Sequence, residues 1–178
     1  MDALIVVDMQ KDFCYENGAL FIGEHVRKIF DPLRDVIERA REKGIPVIFT
    51  QDWHRVDDSE FEIWPKHCIA GTEGAEVIDE LDPKPSDIYV KKRRYSAFFS
   101  TDLDLTLREL GARSLVVAGV VTNICVLHTV ADAVMRGYDV VVLEDCTTAL
   151  SEEDHEYGIR HMRNVLRARI LRSDELEV

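Results

Sequence analysis

The sequence is short of basic charge. Lysine and arginine number 22 against 34 aspartate and glutamate residues, a net charge of −12. Proteins that bind nucleic acid through its phosphates carry a basic face, so the deficit argues against that partner. The acidity itself reads as solubility. Long apolar runs are also lacking. No stretch approaches the roughly 20 residues a spanning helix needs, which argues against a membrane partner. The N-terminus has no basic-then-apolar leader: Met1 and Asp2 run into a short apolar stretch that ends at Asp8, with no cleavage signature. The expected location is the cytoplasm. Cysteine is sparse, with Cys14, Cys68, Cys125 and Cys146 and no CxxC pair. That excludes a disulfide framework and leaves room for one reactive thiol, structural burial being the default for the other three. No repeat, low-complexity tract or second domain interrupts the chain, so 1–178 reads as one domain.

What is present fits a folded, soluble protein. Apolar residues make up 46% and charged residues 31% of 178 residues, enough for a substantial core. Strand-length runs rich in valine and isoleucine fall at 3–7, 46–50, 87–90, 114–118, 139–143 and 169–171. They are apolar on both faces, as buried parallel strands are. Helical spacing links Val26, Ile29, Phe30, Leu33, Ile37 and Ala40, and Gly44 stops it. Pro32 lies inside that pattern, where it either opens a second helical segment after Asp31 or kinks the helix. Further helices are expected from about Asp102 to Gly111, from Thr122 to Gly137, and from Ser151, with Asp154 as a capping-box partner. The alternation predicts a three-layer α/β/α sandwich around a mostly parallel, Rossmann-like six-stranded sheet. Residues 51–86 break it. They hold Trp53, His54, Trp64, His67, three prolines and two glycines, and a long irregular insertion in a compact domain is usually functional or disordered.

In open parallel sheets, ligands bind beyond the carboxyl ends of the strands. Asp8 closes the first strand, Asp52 and His54 follow the second, Lys91 and Lys92 the third, Cys125 the fourth, and Asp145 and Cys146 the fifth. A carboxylate, a lysine and a thiol thus converge on one edge. A helix start and a nearby lysine are both expected to lower the Cys125 pKa from its free value of about 8.5. Position alone leaves Cys125 readable as a small buried hydrophobe and Asp8 as a cap or a buried ion-pair partner. Asp52, His54 and His67 have the makings of a three-ligand metal site, although two loop histidines are the commoner explanation of such a pattern. His128, one turn beyond Cys125, reads as a packed helix residue.

Six segments carry a resemblance that covers nearly the whole chain. They are Leu4-Ile-Val-Val-Asp8-Met-Gln-Lys-Asp12-Phe13, Thr50-Gln-Asp52-Trp-His54, Trp64-Pro-Lys-His67-Cys, Gly71-Thr-Glu-Gly-Ala-Glu76, Lys92-Arg-Arg-Tyr95-Ser-Ala-Phe98 and Gly119-Val-Val-Thr-Asn-Ile-Cys125. In this order and spacing the sequence resembles the isochorismatase-like cysteine hydrolases, and within them the nicotinamidase/pyrazinamidase group. The resemblance implies a catalytic triad of Asp8, Lys92 and Cys125. It selects Lys92 over Lys91, because the family's lysine stands one residue away from the Arg-Tyr-Ser-Ala-Phe run. It implies metal ligation by Asp52, His54 and His67, with zinc first and iron or manganese as alternatives. Phe13 and Trp64 match the walls of a ring pocket. A cis Val120–Val121 peptide would turn the Val121 and Cys125 N–H groups toward an oxyanion.

These matches lead to an expected amidohydrolase that converts nicotinamide and water to nicotinate and ammonia through a cysteine thioester. The partner is a small aromatic amide, and self-association into a homo-oligomer is expected from the relatives. Two departures bear on the substrate. The Arg-Tyr-Ser-Ala-Phe run is more typical of the broader hydrolases, and Asp57, Asp58 and Ser59 stand where some nicotinamidases carry a further histidine. The rival enzyme is a hydrolase of the same scaffold acting on a carbamoyl or ureido compound or on isochorismate. The rival outside enzymology is a small-ligand binding module, distinguished by the rate at which iodoacetamide alkylates Cys125.

Overall fold

A computed structural model describes residues 1–177. Six strands form one sheet: β1 (Ala3–Val7), β2 (Val47–Asp52), β3 (Ile88–Lys92), β4 (Ser114–Val120), β5 (Asp139–Thr148) and β6 (Arg169–Leu171), in the order β3-β2-β1-β4-β5-β6. Every pairing is parallel. The central strand β1 is buried at all five positions, as a sheet covered on both faces requires. Its alternating side chains split the core into two layers. Leu4 and Val6 pack with Val26, Leu33 and Ile37 on one side, whereas Ala3, Ile5 and Val7 pack with Leu103, Leu107 and Val130 on the other. The expected α/β/α sandwich is what forms.

Among the described residues five α-helices complete it: α1 (Lys11–Cys14), α2 (Phe30–Glu42), α3 (Leu103–Glu109), α4 (Leu127–Met135) and α5 (Glu152–Asn164). Pro32 opens a segment and does not kink one. A 3-10 stretch over Glu24–Ile29 hands over to α2 at Phe30, so proline occupies the first turn of α2, where its missing N–H costs nothing. That boundary falls slightly earlier than the proline alone suggested. At the start of α5 the Ser151 hydroxyl accepts the Asp154 N–H at 3.1 Å, and it also donates to the Asp154 carboxylate at 2.8 Å. The cap is therefore real, but the reciprocal half of the box is replaced by a side-chain pair.

Two strands extend further than their apolar runs. β5 continues past residue 143 to Thr148, because its partner β4 also continues, through a register shift between Val117 and Gly119. Asp145 and Cys146 thus lie within the strand, not after it. β2 and β3 end on Asp52 and Lys92, which pair directly in register. Residues 53–87 hold no strand or α-helix. They form three short 3-10 turns, over Ser59–Glu62, Glu73–Ala75 and Asp79–Leu81, and are tied to the body by isolated bridges Gln10–Val77 and His54–Ile69.

Candidate active site

The site is built where β1, β2, β3 and β4 end side by side. Asp8 follows β1 with φ +50°, a left-handed conformation that aspartate tolerates better than most residues. Thr50 on the next strand donates its hydroxyl to Asp8 Oδ1 at 2.6 Å. On the other side of β1, Gly119 (φ +107°) lies so close that a Cβ would stand 2.1 Å from the Val7 carbonyl oxygen. Only glycine fits there, and its absence of bulk lets the turn that follows β4 approach Asp8.

Lys92 is fully buried and faces three groups at once. Its Nζ lies 2.7 Å from Asp8 Oδ2, 2.5 Å from Asp52 Oδ1 and 3.5 Å from Cys125 Sγ, and it donates to the Arg94 carbonyl at 3.0 Å. The structure thus brings together Asp8, Lys92 and Cys125. Lys91 points elsewhere, over the Trp53 ring at 3.7 Å and onto the Gln51 side chain. The Asp8, Asp52 and Cys125 ligand atoms also cluster closely enough to hold a cation, and the Lys92 ammonium fills that role.

The charges around Lys92 set the protonation states. Burial lowers the affinity of any lysine for its proton, but Asp52, Asp8 and the thiol overcome it and push Lys92 well above its ordinary value. Burial raises Asp8, and Lys92 only partly offsets it, so Asp8 holds a proton more readily than a free aspartate. Burial also acts against ionised Asp52, yet Lys92, His54 and His67 prevail and hold it far below the carboxylate range. The expected lowering of Cys125 does not occur. Burial, with Asp8 and Asp52 close by, drives the thiol well up despite Lys92. Its turn is also not the start of an ordinary α-helix. Thr122–Val126 form a wider π-type turn ahead of α4. Cys125 therefore rests as a protonated thiol. Asp8 Oδ2 is buried against the Lys92 ammonium at 2.7 Å, and its ligand-atom cluster with Cys125 and Asp52 puts it close to the thiol.

Cys14, Cys68 and Cys146 are buried free thiols, each raised chiefly by burial. His128 is exposed, not packed. Its Nδ1 donates back to the Ile124 carbonyl at 2.7 Å and its ring meets Tyr95.

Asp52 joins this triad to a second cluster. Its Oδ2 faces His54 Nε2 and His67 Nε2, each at 3.6 Å, and Glu60 Oε1 stands 3.9 Å from His54 Nε2. The four residues, all buried, form one candidate metal group. Glu60 was not among the expected ligands. The structure holds both rings in the tautomer a cation needs. His67 Nδ1 donates to the Pro65 carbonyl at 2.7 Å and His54 Nδ1 to the Asp58 carboxylate at 3.1 Å, which leaves both Nε2 lone pairs facing inward. His54 Nε2 is buried without a hydrogen-bond partner. Among the described residues the buried side-chain atoms lacking one are this nitrogen, Asp8 Oδ2 and Asn123 Oδ1, all in or beside the site. The spacing fits an ion as well. Four ligands at about 2.1 Å in a tetrahedron stand about 3.4 Å apart, close to the separations seen. Two imidazoles and two carboxylates suit zinc, iron or manganese.

Partners distant in sequence explain the precision of this cluster. The Gln10 amide clamps the Asp52 backbone from both sides, accepting its N–H at 2.8 Å and donating to its carbonyl at 2.8 Å. Asp58 supports His54 while accepting from Arg93 at 2.7 Å and Arg94 at 3.1 Å. Burial opposes its charge, but those partners and the Glu60 N–H hold it ionised.

The pocket above Cys125 is lined by Phe13, Leu20, Trp64, Tyr95, Val121 and Ile124, with Asp52, Glu60 and His67 on its polar side. Phe13 meets the His67 ring at 5.3 Å, and the Trp64 indole donates to the Tyr95 hydroxyl at 3.1 Å. Tyr95 comes from the run that follows Lys92 and was also not among the expected pocket residues. The Val120–Val121 peptide is cis, as the resemblance implied. Among the described residues the Val121 N–H makes no backbone hydrogen bond outside the strand ladder.

Comparison with known proteins agrees with this geometry. The family model for the isochorismatase domain matches residues 2–175. An uncharacterized isochorismatase family protein PncA of Bacillus subtilis is 35% identical, covering 94% of this chain and 97% of its own length. A probable inactive nicotinamidase of Arabidopsis thaliana is 38% identical over 92% of this chain and 88% of its own. Among solved structures, N-carbamoylsarcosine amidase from Thermoplasma acidophilum superposes with a TM-score of 0.91 at 39% identity, covering 99% and 98% of the two chains. Pyrazinamidase of Pyrococcus horikoshii, in complex with zinc, superposes with a TM-score of 0.89 at 34% identity over 96% and 98%. By sequence, fold and the groups gathered at the strand ends, the chain belongs to the isochorismatase family.

Proposed function

We propose that the protein is a cysteine amidohydrolase of the nicotinamidase type, which releases ammonia from a neutral aromatic carboxamide, with nicotinamide as the expected substrate. The observation that carries the reading is the single Lys92 ammonium in contact with Asp8, Asp52 and Cys125. Asp8 Oδ2 takes the Cys125 proton as sulfur attacks the carboxamide carbon. The oxyanion sits against the Val121 and Cys125 N–H groups. Asp8 returns its proton to the amide nitrogen, the C–N bond breaks and ammonia leaves a thioester. Water then gives a proton to Asp8 and attacks the acyl carbon; the C–S bond breaks and the thiol is restored. Lys92 stays protonated throughout and stabilises the thiolate. A divalent ion held by Asp52, His54, Glu60 and His67, zinc first, would supply a Lewis-acid anchor for a ring nitrogen or for water bound to one.

The pocket supports a neutral substrate. A carbamoyl amino acid, a ureido acid or isochorismate brings at least one carboxylate, which needs a cation to receive it. Among the described residues no arginine or lysine lines the pocket beside Phe13 and Trp64, and a substrate carboxylate reaching the proposed ion would have to do so past Asp52 and Glu60. A flat uncharged ring fits those apolar walls. The test is a panel of nicotinamide, pyrazinamide and N-carbamoylsarcosine read by released ammonia, with Cys125→Ala as control. Ammonia from the aromatic amides, lost in the variant, is expected. Preference for the anionic compound would overturn the substrate, and undiminished turnover by Cys125→Ala the mechanism. By analogy with its relatives the enzyme is expected to work as a homo-oligomer, which sedimentation equilibrium reads directly.

A further inference from the structure

Three side chains outside the pocket run to the backbone that carries the nucleophile turn. Thr147 Oγ1 donates to the Gly119 carbonyl at 2.6 Å. Thr122 Oγ1 lies 3.0 Å from Thr147 Oγ1 and 2.9 Å from His155 Nδ1 on α5. Both threonines are buried and His155 is half-buried. Counting hydrogens fixes the direction. A carbonyl only accepts, so the one hydroxyl hydrogen of Thr147 is committed to Gly119. The hydrogen of Thr122 must then fill the contact between the two threonines. What remains for the contact with His155 is an imidazole N–H. The chain runs one way, from His155 to Thr122 to Thr147 to the Gly119 carbonyl.

We infer that His155 is a positioning residue for the nucleophile turn, held as the tautomer with its hydrogen on Nδ1, and that this chain fixes the Val121 and Cys125 amides where the oxyanion forms. The inference deepens the amidohydrolase reading and rests on it. Gly119 precedes the cis Val120–Val121 peptide and Thr122 follows it, so the chain ties both ends of the segment. α5 presses on the same segment without an intervening side chain. A Cβ at Gly158 would lie 3.0 Å from Thr122 Cγ2 and 3.2 Å from the Asn123 backbone. Burial, opposed by Glu152, Glu144 and Glu156, keeps the imidazole below its usual pKa, so the ring is neutral near pH 7 and its tautomer is a defined property. None of the three side chains lines the pocket. Their loss should therefore affect the transition state and spare substrate binding.

Two measurements test this. In protein labelled with nitrogen-15 histidine, the His155 ring, identified by its loss in His155→Asn, should show Nδ1 protonated and Nε2 bare. The reverse pattern overturns the inference. In kinetics, His155→Leu and Thr147→Val should lower kcat about 10- to 100-fold with KM moved less than about twofold, while iodoacetamide still alkylates Cys125 at the wild-type rate. His155→Asn, whose amide N–H can stand in for Nδ1–H, and Thr147→Ser should keep most of the activity. Full activity in His155→Leu, or equal damage in His155→Asn, overturns the positioning role. A wild-type protein inert toward every amide would instead sink the amidohydrolase reading, and the tautomer measurement would still decide the direction of the chain.

Discussion

At Lys92 one ammonium group holds two buried carboxylates that would otherwise repel each other. Removing it strands both. Lys92→Met should destabilise the fold by about 3–5 kcal/mol, the usual cost of breaking a buried ion pair from one side. Urea unfolding checks this, and an unchanged midpoint would show that the carboxylates carry no net charge in the fold. The proposed base, Asp8, should set the acid side of the activity. In the proposed mechanism only its ionised form accepts the thiol proton, and burial has raised its pKa, so kcat/KM should fall as pH drops through a value above the ordinary aspartate range of about 3.9. A rate constant from pH 7 down to pH 4 would remove Asp8 from the role of base. At this scale the sequence was legible where a residue sits in a motif. It was silent on Glu60, which lies in an acidic stretch with Asp57, Asp58 and Glu62. Nothing along the chain says which of these turns inward. The Asp58-capped turn over Ser59–Glu62 buries Glu60 and leaves Glu62 exposed.

Among the elements, strand ends do the positioning. Asp52 and Lys92 are the last residues of β2 and β3 and pair in register, so backbone hydrogen bonding alone sets one beside the other. The apolar runs marked these strands but stopped short of their ends, because hydrophobicity records burial and not hydrogen bonding. β5 shows the same limit, running to Thr148 through Asp145. The 51–86 insertion was recognisable by its lack of period, yet its shape depends on distant partners such as Gln10, Asp12 and Arg93. Arg93 and Arg94 steady Asp58, which in turn orients His54. Asp58→Asn should weaken metal affinity about 10- to 100-fold, read by competition against a zinc-binding dye. Equal affinity in the variant would show that the His54 ring is held by its packing against Phe61 and His67 instead.

For the molecule as a whole, a filled metal site is linked to stability. An ion that binds the folded chain alone, at one hundred times its dissociation constant, adds about 2.7 kcal/mol. For a chain of this size that raises Tm by about 5–11 °C. Calorimetry with and without zinc after chelation measures it, and coincident transitions would count against ligation by Asp52, His54, Glu60 and His67. The charge deficit agrees with a small-molecule enzyme, and no helix among the described residues is long and apolar enough to cross a membrane.

The sequence by itself determined the layered fold and the mostly parallel sheet, because periodicity is a local property of the chain, and its resemblance to a known family pointed to Asp8, Lys92, Cys125, Asp52, His54 and His67. The tertiary structure alone decided their protonation and their company. It raised the Cys125 thiol where a helix start and a lysine promised to lower it, since burial and two carboxylates outweigh one cation. It brought in Glu60 as a fourth candidate ligand and ran His155 through two threonines to the Gly119 carbonyl. Electrostatic energy and hydrogen-bond direction depend on what lies within a few ångströms in space, and those neighbours come from strands and loops far apart along the chain.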